Sequence, residues 1–93
     1  MVRRRFNKSS IADVPADKPI LYDLKTGTGR SNYVGVAKRG RVRQRLGDHL
    51  PGGSDPIPAK TVEIKQFSSI SDARAAEKRA IKTKQPKYNR HHK

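Results

Sequence analysis

Glu77 stands where an apolar residue is expected. The run from Ser69 to about Lys84 carries Ile70, Ala73, Ala76, Ala80 and Ile81 on one helical stripe. At about 100° per residue Glu77 falls inside that stripe, between Ala73 and Ile81. A carboxylate on an inward face must be paired, protonated or bound to a cation. Two readings follow. Glu77 is a rim carboxylate paired with Arg74 or with a basic residue across the fold, or it is a metal or site residue that the small alanines let approach a sheet. Two further groups have telling spacing. Arg41, Arg45 and His49 recur every four residues, on the ridge beside Val42, Leu46 and Leu50. A guanidinium and an imidazole then lie one turn apart on the exposed flank of a short helix. Tyr22 and Tyr33 fall on two strand-like runs joined by a glycine-containing turn. If the turn centres on Gly27 and Thr28, the phenols lie nearly opposite on one face, either as a packed cross-strand pair or as polar tips at a site.

The elements that must position these groups can be read in turn. Residues 19–25 alternate, with Ile20, Tyr22 and Leu24 on one side and Leu21, Asp23 and Lys25 on the other, which is a strand pattern. Residues 25–31 contain Gly27 and Gly29 and form a hairpin turn; they lack the third glycine of a dinucleotide fingerprint and the Gly-Lys-Ser/Thr of a P-loop. A second strand, 31–37, carries Tyr33, Val34 and Val36 and breaks at Gly40. The Arg45–His49 helix follows and stops at Pro51. A loop over 51–60 holds Gly-Gly and three prolines. The third strand, 61–67, is followed by a capping sequence, Ser69 to Asp72, that opens the Glu77 helix. Residues 85–89, Gln-Pro-Lys-Tyr-Asn, turn the chain, with Asn89 as a turn former. Residues 1–17 have no sustained periodicity and read as a basic, flexible arm bearing Arg3, Arg4 and Arg5, outside a single domain of residues 18–93. The last residues, Arg90, His91, His92 and Lys93, read as a basic tail; adjacent histidines without a third partner are poor metal ligands.

Composition narrows the partners. In 93 residues there are 22 Lys and Arg against 8 Asp and Glu, a net charge of +14, and only 32% hydrophobic residues. Such a charge attracts polyanions, so nucleic acid leads; no long amphipathic helix with large apolar residues points to a membrane surface. No apolar run is long enough for a signal peptide or a membrane span. The chain has no cysteine, which excludes disulfides and cysteine-ligated zinc and goes with a cytoplasmic location. No Ser/His/Asp order, paired-histidine helix motif or repeat is visible.

Taken in order, these residues resemble the GIY-YIG nuclease family over about residues 19–89. Ile20-Leu21-Tyr22 stands at the first motif, with Ile-Leu where the family has Gly-Ile. Tyr33-Val34-Gly35 stands at the second. Arg45 matches the family's helix arginine, His49 the histidine often found one turn later, Glu77 the metal-binding glutamate, and Pro86-Lys87-Tyr88-Asn89 the closing element with its asparagine. The resemblance implies an α+β fold with a three-stranded antiparallel sheet flanked by helices. It implies a metal-dependent endonuclease that hydrolyses phosphodiesters, with DNA as the expected substrate.

On that resemblance the catalytic set is Tyr22, Tyr33, Arg45, His49, Glu77 and Asn89. Glu77 is the sole protein ligand of Mg2+ (or Mn2+), and Arg45 stabilises the charge that builds up on the phosphate. Tyr33 is the base or orients the water, with His49 as the second candidate base. Tyr22 and His49 support Tyr33 by hydrogen bonds, Lys38 lowers a phenol pKa by its charge, and Asn89 braces the site. Lys38, Arg39, Arg41, Lys87, Arg3, Arg4 and Arg5 are the expected nucleic-acid contacts. The alternatives are an RNA-cleaving member and a non-catalytic RNA- or ribosome-associated binder. No membrane partner is expected, and the oligomeric state is left open.

Overall fold

Alternation in the two central strands decides which side of the sheet is packed. The computed structural model describes residues 2–89; the basic tail expected at Arg90, His91, His92 and Lys93 lies outside the described residues. The elements in chain order are β1 (Val2–Arg5), α1 (Lys8–Ala12), β2 (Ile20–Lys25), β3 (Ser31–Ala37), α2 (Val42–Asp48), β4 (Thr61–Gln66) and α3 (Ile70–Lys84). All pairings are antiparallel, in the order β1-β4-β2-β3. Ile20, Tyr22 and Leu24 of β2, Tyr33 of β3, and Val62 and Ile64 of β4 share one face. They form the core with Phe6, Ile11, Val14, Val42, Leu46 and Ile57. On the other face α3 lies against β3 and β2, where Val34 and Ala73 are fully buried.

Local chemistry places the helices. Ser69 caps α3, its hydroxyl accepting the Asp72 N–H at 3.1 Å, and Asp72 in the first turn suits the positive end of the helix dipole. Gly40, at φ 82°, supplies the left-handed turn that separates β3 from α2. Lys84 in the last turn of α3 reaches back to the buried Asp23 carboxylate at 2.6 Å, and the Ser31 hydroxyl donates to the same carboxylate at 2.6 Å. This ties the helix end to the central strand.

The fold departs from expectation at the N-terminus. The sheet has four strands rather than three, because residues expected as a flexible arm supply β1 and α1. Arg3, Arg4 and Arg5 pair in register with Glu63, Val62 and Thr61 of β4. Asn7 caps α1 by accepting the Ser10 N–H at 2.9 Å. Phe6, Ile11 and Val14 are buried in the core, each contributing about 1.5–3 kcal/mol of apolar burial. Three apolar side chains set among polar neighbours show no period, which is why the segment reads as a tail. Among the described residues no helix is long and apolar enough to cross a membrane.

Candidate active site

Five of the six residues in the expected catalytic set meet in one cleft. It has a volume of about 960 Å³ and lies at the β3 edge of the sheet, between α2 and α3. Tyr22 from β2, Tyr33 from β3, Arg45 from α2, Glu77 from α3 and Asn89 from the closing turn all line it. Glu77 is half-buried. The stripe around it is lightly covered, since Ala73 is its one fully buried member, and so the carboxylate opens into the cleft rather than into the core.

The tyrosines are diagonal neighbours, not opposite ones. Tyr22 pairs with Gly35 and Tyr33 with Leu24, and the register shifts between Leu24 and Lys25. The connection is a longer loop closed by Thr26 N–H to Arg30 O at 2.9 Å. The ring centroids lie 6.1 Å apart with planes at 33°. Gly35 makes this possible. A Cβ there would lie 2.5 Å from the Tyr22 hydroxyl oxygen, 2.6 Å from its Cζ and 3.0 Å from Tyr33 Cε2. The Tyr22 ring therefore rests on bare backbone.

His49 is the sixth member, and it is not on an exposed flank. It is fully buried and lies behind Tyr22. The reason is the end of α2: the helix stops at Asp48, and the 51–60 loop folds back over His49. Ile57 N–H donates to His49 O at 2.9 Å. His49 Nδ1 lies 2.9 Å from the Asp55 carbonyl oxygen, and Nε2 lies 2.9 Å from the Tyr22 hydroxyl. A carbonyl can only accept, so Nδ1 carries the proton and Nε2 accepts from Tyr22. Burial pushes the His49 pKa below its ordinary value, partly offset by the Asp55 carbonyl and carboxylate.

Both phenols are held in the neutral form. Burial raises the Tyr22 pKa above its ordinary value, with Tyr33 adding to the rise and the Arg45 guanidinium opposing it. Burial also raises Tyr33, again against Arg45. The cation that acts on the phenols is thus Arg45. Lys38, expected in that role, is exposed beyond the end of β3, and burial outweighs the positive charge. Arg45 also lies 3.7 Å from Asp48 one turn on.

Asn89 is buried and takes the place of a neighbouring strand. Its side-chain oxygen accepts the Val34 N–H at 2.8 Å and its Nδ2 donates to the Val34 carbonyl at 2.9 Å. Tyr88 N–H donates to Asn32 O at 2.8 Å. The outer edge of β3 is thereby held at the residue between Tyr33 and Gly35. More than a turn former, Asn89 fixes the backbone from which the cleft tyrosine projects.

The expected nucleic-acid contacts do not gather together. Lys38, Arg39 and Arg41 are exposed between β3 and α2 and do not line the cleft. Lys87 lines a neighbouring concavity. Arg3, Arg4 and Arg5 lie on β1, at the opposite edge of the sheet, about 14 Å from β3 at ~4.8 Å per strand. Arg3 pairs with Glu63 at 3.1 Å. Instead Arg74, Lys78 and Lys82 of α3 line the cleft. Their spacing of four residues marks one ridge beside Glu77, a signal legible in the sequence.

Among the described residues no group of three or more His, Asp or Glu could hold a metal ion. The donor set of the cleft is one carboxylate, Glu77. That fits Mg2+, a hard cation that keeps several waters and shares its shell with substrate phosphate, and does not fit zinc. In comparisons with known proteins, no family model and no curated protein matches the chain.

Proposed function

We propose that the chain is a metal-dependent endonuclease of the GIY-YIG type that hydrolyses phosphodiesters in DNA and works in the cytoplasm. The observation that carries this reading is the convergence of Tyr22, Tyr33, Arg45, Glu77 and Asn89, from five separate segments, on one cation-lined cleft. Glu77 adds a hard oxygen donor to this otherwise basic lining, which a surface that only grips phosphate does not require.

Glu77 would hold the divalent cation, which when bound supplies Lewis acidity at the phosphate and the leaving oxygen. Arg45 presents a fixed guanidinium fork to the charge that develops on the phosphate. Tyr33 lines the cleft and would orient the attacking water. Neither phenol needs to ionise in advance. Tyr22 already donates to His49 Nε2, and the Tyr33 ring stands beside both, 6.1 Å from the Tyr22 ring and 4.8 Å from the imidazole between centroids. A proton taken up on the Tyr22 oxygen can pass on to the neutral imidazole, the Tyr22 O–H proton moving to Nε2 as it does. His49 thus serves as a proton acceptor that never touches the substrate.

The test is incubation of the full chain with supercoiled plasmid, with Mg2+ and with chelator, for wild type and Glu77→Gln. Nicking is expected for wild type with Mg2+ alone. Glu77→Gln should lose cleavage and bind DNA in metal-free buffer as well as wild type or better. Nicking by the mutant at the wild-type rate would remove Glu77 as the metal ligand, and a wild type inert with Mg2+ and Mn2+ would sink the nuclease reading.

A further inference from the structure

Beside the cleft lies a second concavity of about 860 Å³, between the β2–β3 turn and the end of α3. Its charged lining is entirely basic: Lys25, Arg30, Lys84 and Lys87. Two of these cations are committed. Lys25 lies 3.0 Å from Glu63, and Lys84 lies 2.6 Å from Asp23. Arg30 and Lys87 are exposed and form no ion pair among the described residues. They supply the uncompensated charge of this concavity.

Gln85 borders both concavities. It is also the one non-glycine residue at positive φ among the described residues, at φ 45°, ψ 61°. A left-handed conformation carries a steric cost for a residue with a Cβ, and here it precedes Pro86, which is itself buried. That turn swings the chain from α3 onto the edge of β3. It makes Gln85 the lining residue that the two hollows share.

We propose that the two concavities form one phosphate track. The DNA strand that enters the cleft crosses Gln85 and lays a flanking stretch of its backbone between Arg30 and Lys87. The inference rests on the nuclease reading in that the polymer is the same one. The remaining lining residues, Gly29 and Ser31, are small, and the cations suit phosphate oxygens rather than base edges, so the contact grips without reading sequence.

The test is binding, kept apart from cleavage. The full chain is titrated in chelator against a fluorescein-labelled DNA duplex over a series of salt concentrations, with wild type, Arg30→Ala/Lys87→Ala and Lys8→Ala/Lys18→Ala. The last variant removes the same charge at exposed positions that line neither concavity. The Arg30/Lys87 variant should show a salt slope of log K shallower by about 0.9 for each lost phosphate contact, while the Lys8/Lys18 variant keeps the wild-type slope. Equal changes in both variants would reduce the effect to net charge and overturn the track. An unchanged slope in a protein that still nicks plasmid overturns the track alone. A shallower slope in a protein that never cleaves leaves the track standing and overturns the nuclease reading. A change seen with duplex RNA but not with DNA overturns DNA as the occupant.

Discussion

Gly35→Ala should damage both the fold and the site, and the structure gives the size of the effect. Gly35 is not in the left-handed region, so alanine is excluded there by contact and not by backbone conformation. The new Cβ would lie 2.5 Å from the Tyr22 hydroxyl oxygen, where ordinary contact begins near 3.4 Å; the phenol must retreat by about 1 Å. Tyr22 is fully buried, so the retreat overpacks the core at about 1–3 kcal/mol and strains the 2.9 Å hydrogen bond to His49, worth about 1 kcal/mol. The total is about 2–4 kcal/mol. In a domain of this size each 1 kcal/mol moves Tm by about 4–8 °C, so Tm should fall by roughly 8–32 °C. Under conditions where the variant is folded, a 1 Å displacement of a cleft group should lower turnover by about 10²-fold. Thermal and urea melts give the first number, and single-turnover cleavage gives the second. Adding Tyr22→Phe leaves Cζ 2.6 Å from the new Cβ, so most of the clash persists; what it removes is the hydrogen bond to His49 that the retreat strains, and a double-mutant cycle should show a favourable coupling of about 1 kcal/mol. A Gly35→Ala protein that melts with wild type would refute the packing of Tyr22 against bare backbone, and a strictly additive cycle would refute the strained hydrogen bond.

Three further outcomes are expected beside the Glu77→Gln test. Arg45→Lys keeps the charge and loses the fork, so single-turnover rate should fall by about 3 kcal/mol while DNA affinity changes little; lost affinity with an intact rate would make Arg45 a phosphate grip. Deleting residues 1–16 removes β1 and the buried Phe6, Ile11 and Val14, a loss comparable to a whole domain's stability of about 5–15 kcal/mol. The truncated chain should not fold, and a cooperative melt at the wild-type Tm would show that β1 and α1 are dispensable. Because burial lowers the His49 pKa, the unfolded chain binds more protons than the folded one just below pH ~6.5. The stability contribution is thus complete above pH ~6.5 and lost as pH falls through the lowered folded value. Urea melts between about pH 7 and 5 should show this slope in wild type and its loss in His49→Gln; equal slopes would mean that His49 is not held neutral.

Local pattern was enough for the middle of the fold. Alternation in residues 19–25 and 31–37, the Gly40 break, the four-residue ridge of α2 and the Ser69 cap each depend on neighbours a few residues away. Those features determined β2, β3, β4, α2 and α3. The position of Glu77 inside an apolar stripe singled it out before any contact was known. What the tertiary structure decided are the matters settled by residues far apart in sequence. Arg3, Arg4 and Arg5 become a strand because β4, some 60 residues on, offers its open edge. No periodicity within the segment says so. His49 shares its helical spacing with Arg45, yet one lies at the cleft and the other is sealed, because the 51–60 loop brings the Asp55 carbonyl to Nδ1 and closes over the ring. The phenols, expected to be acidified by surface charge, are instead raised by burial. Desolvation depends on what the whole chain packs around a group, and sequence spacing carries no measure of it.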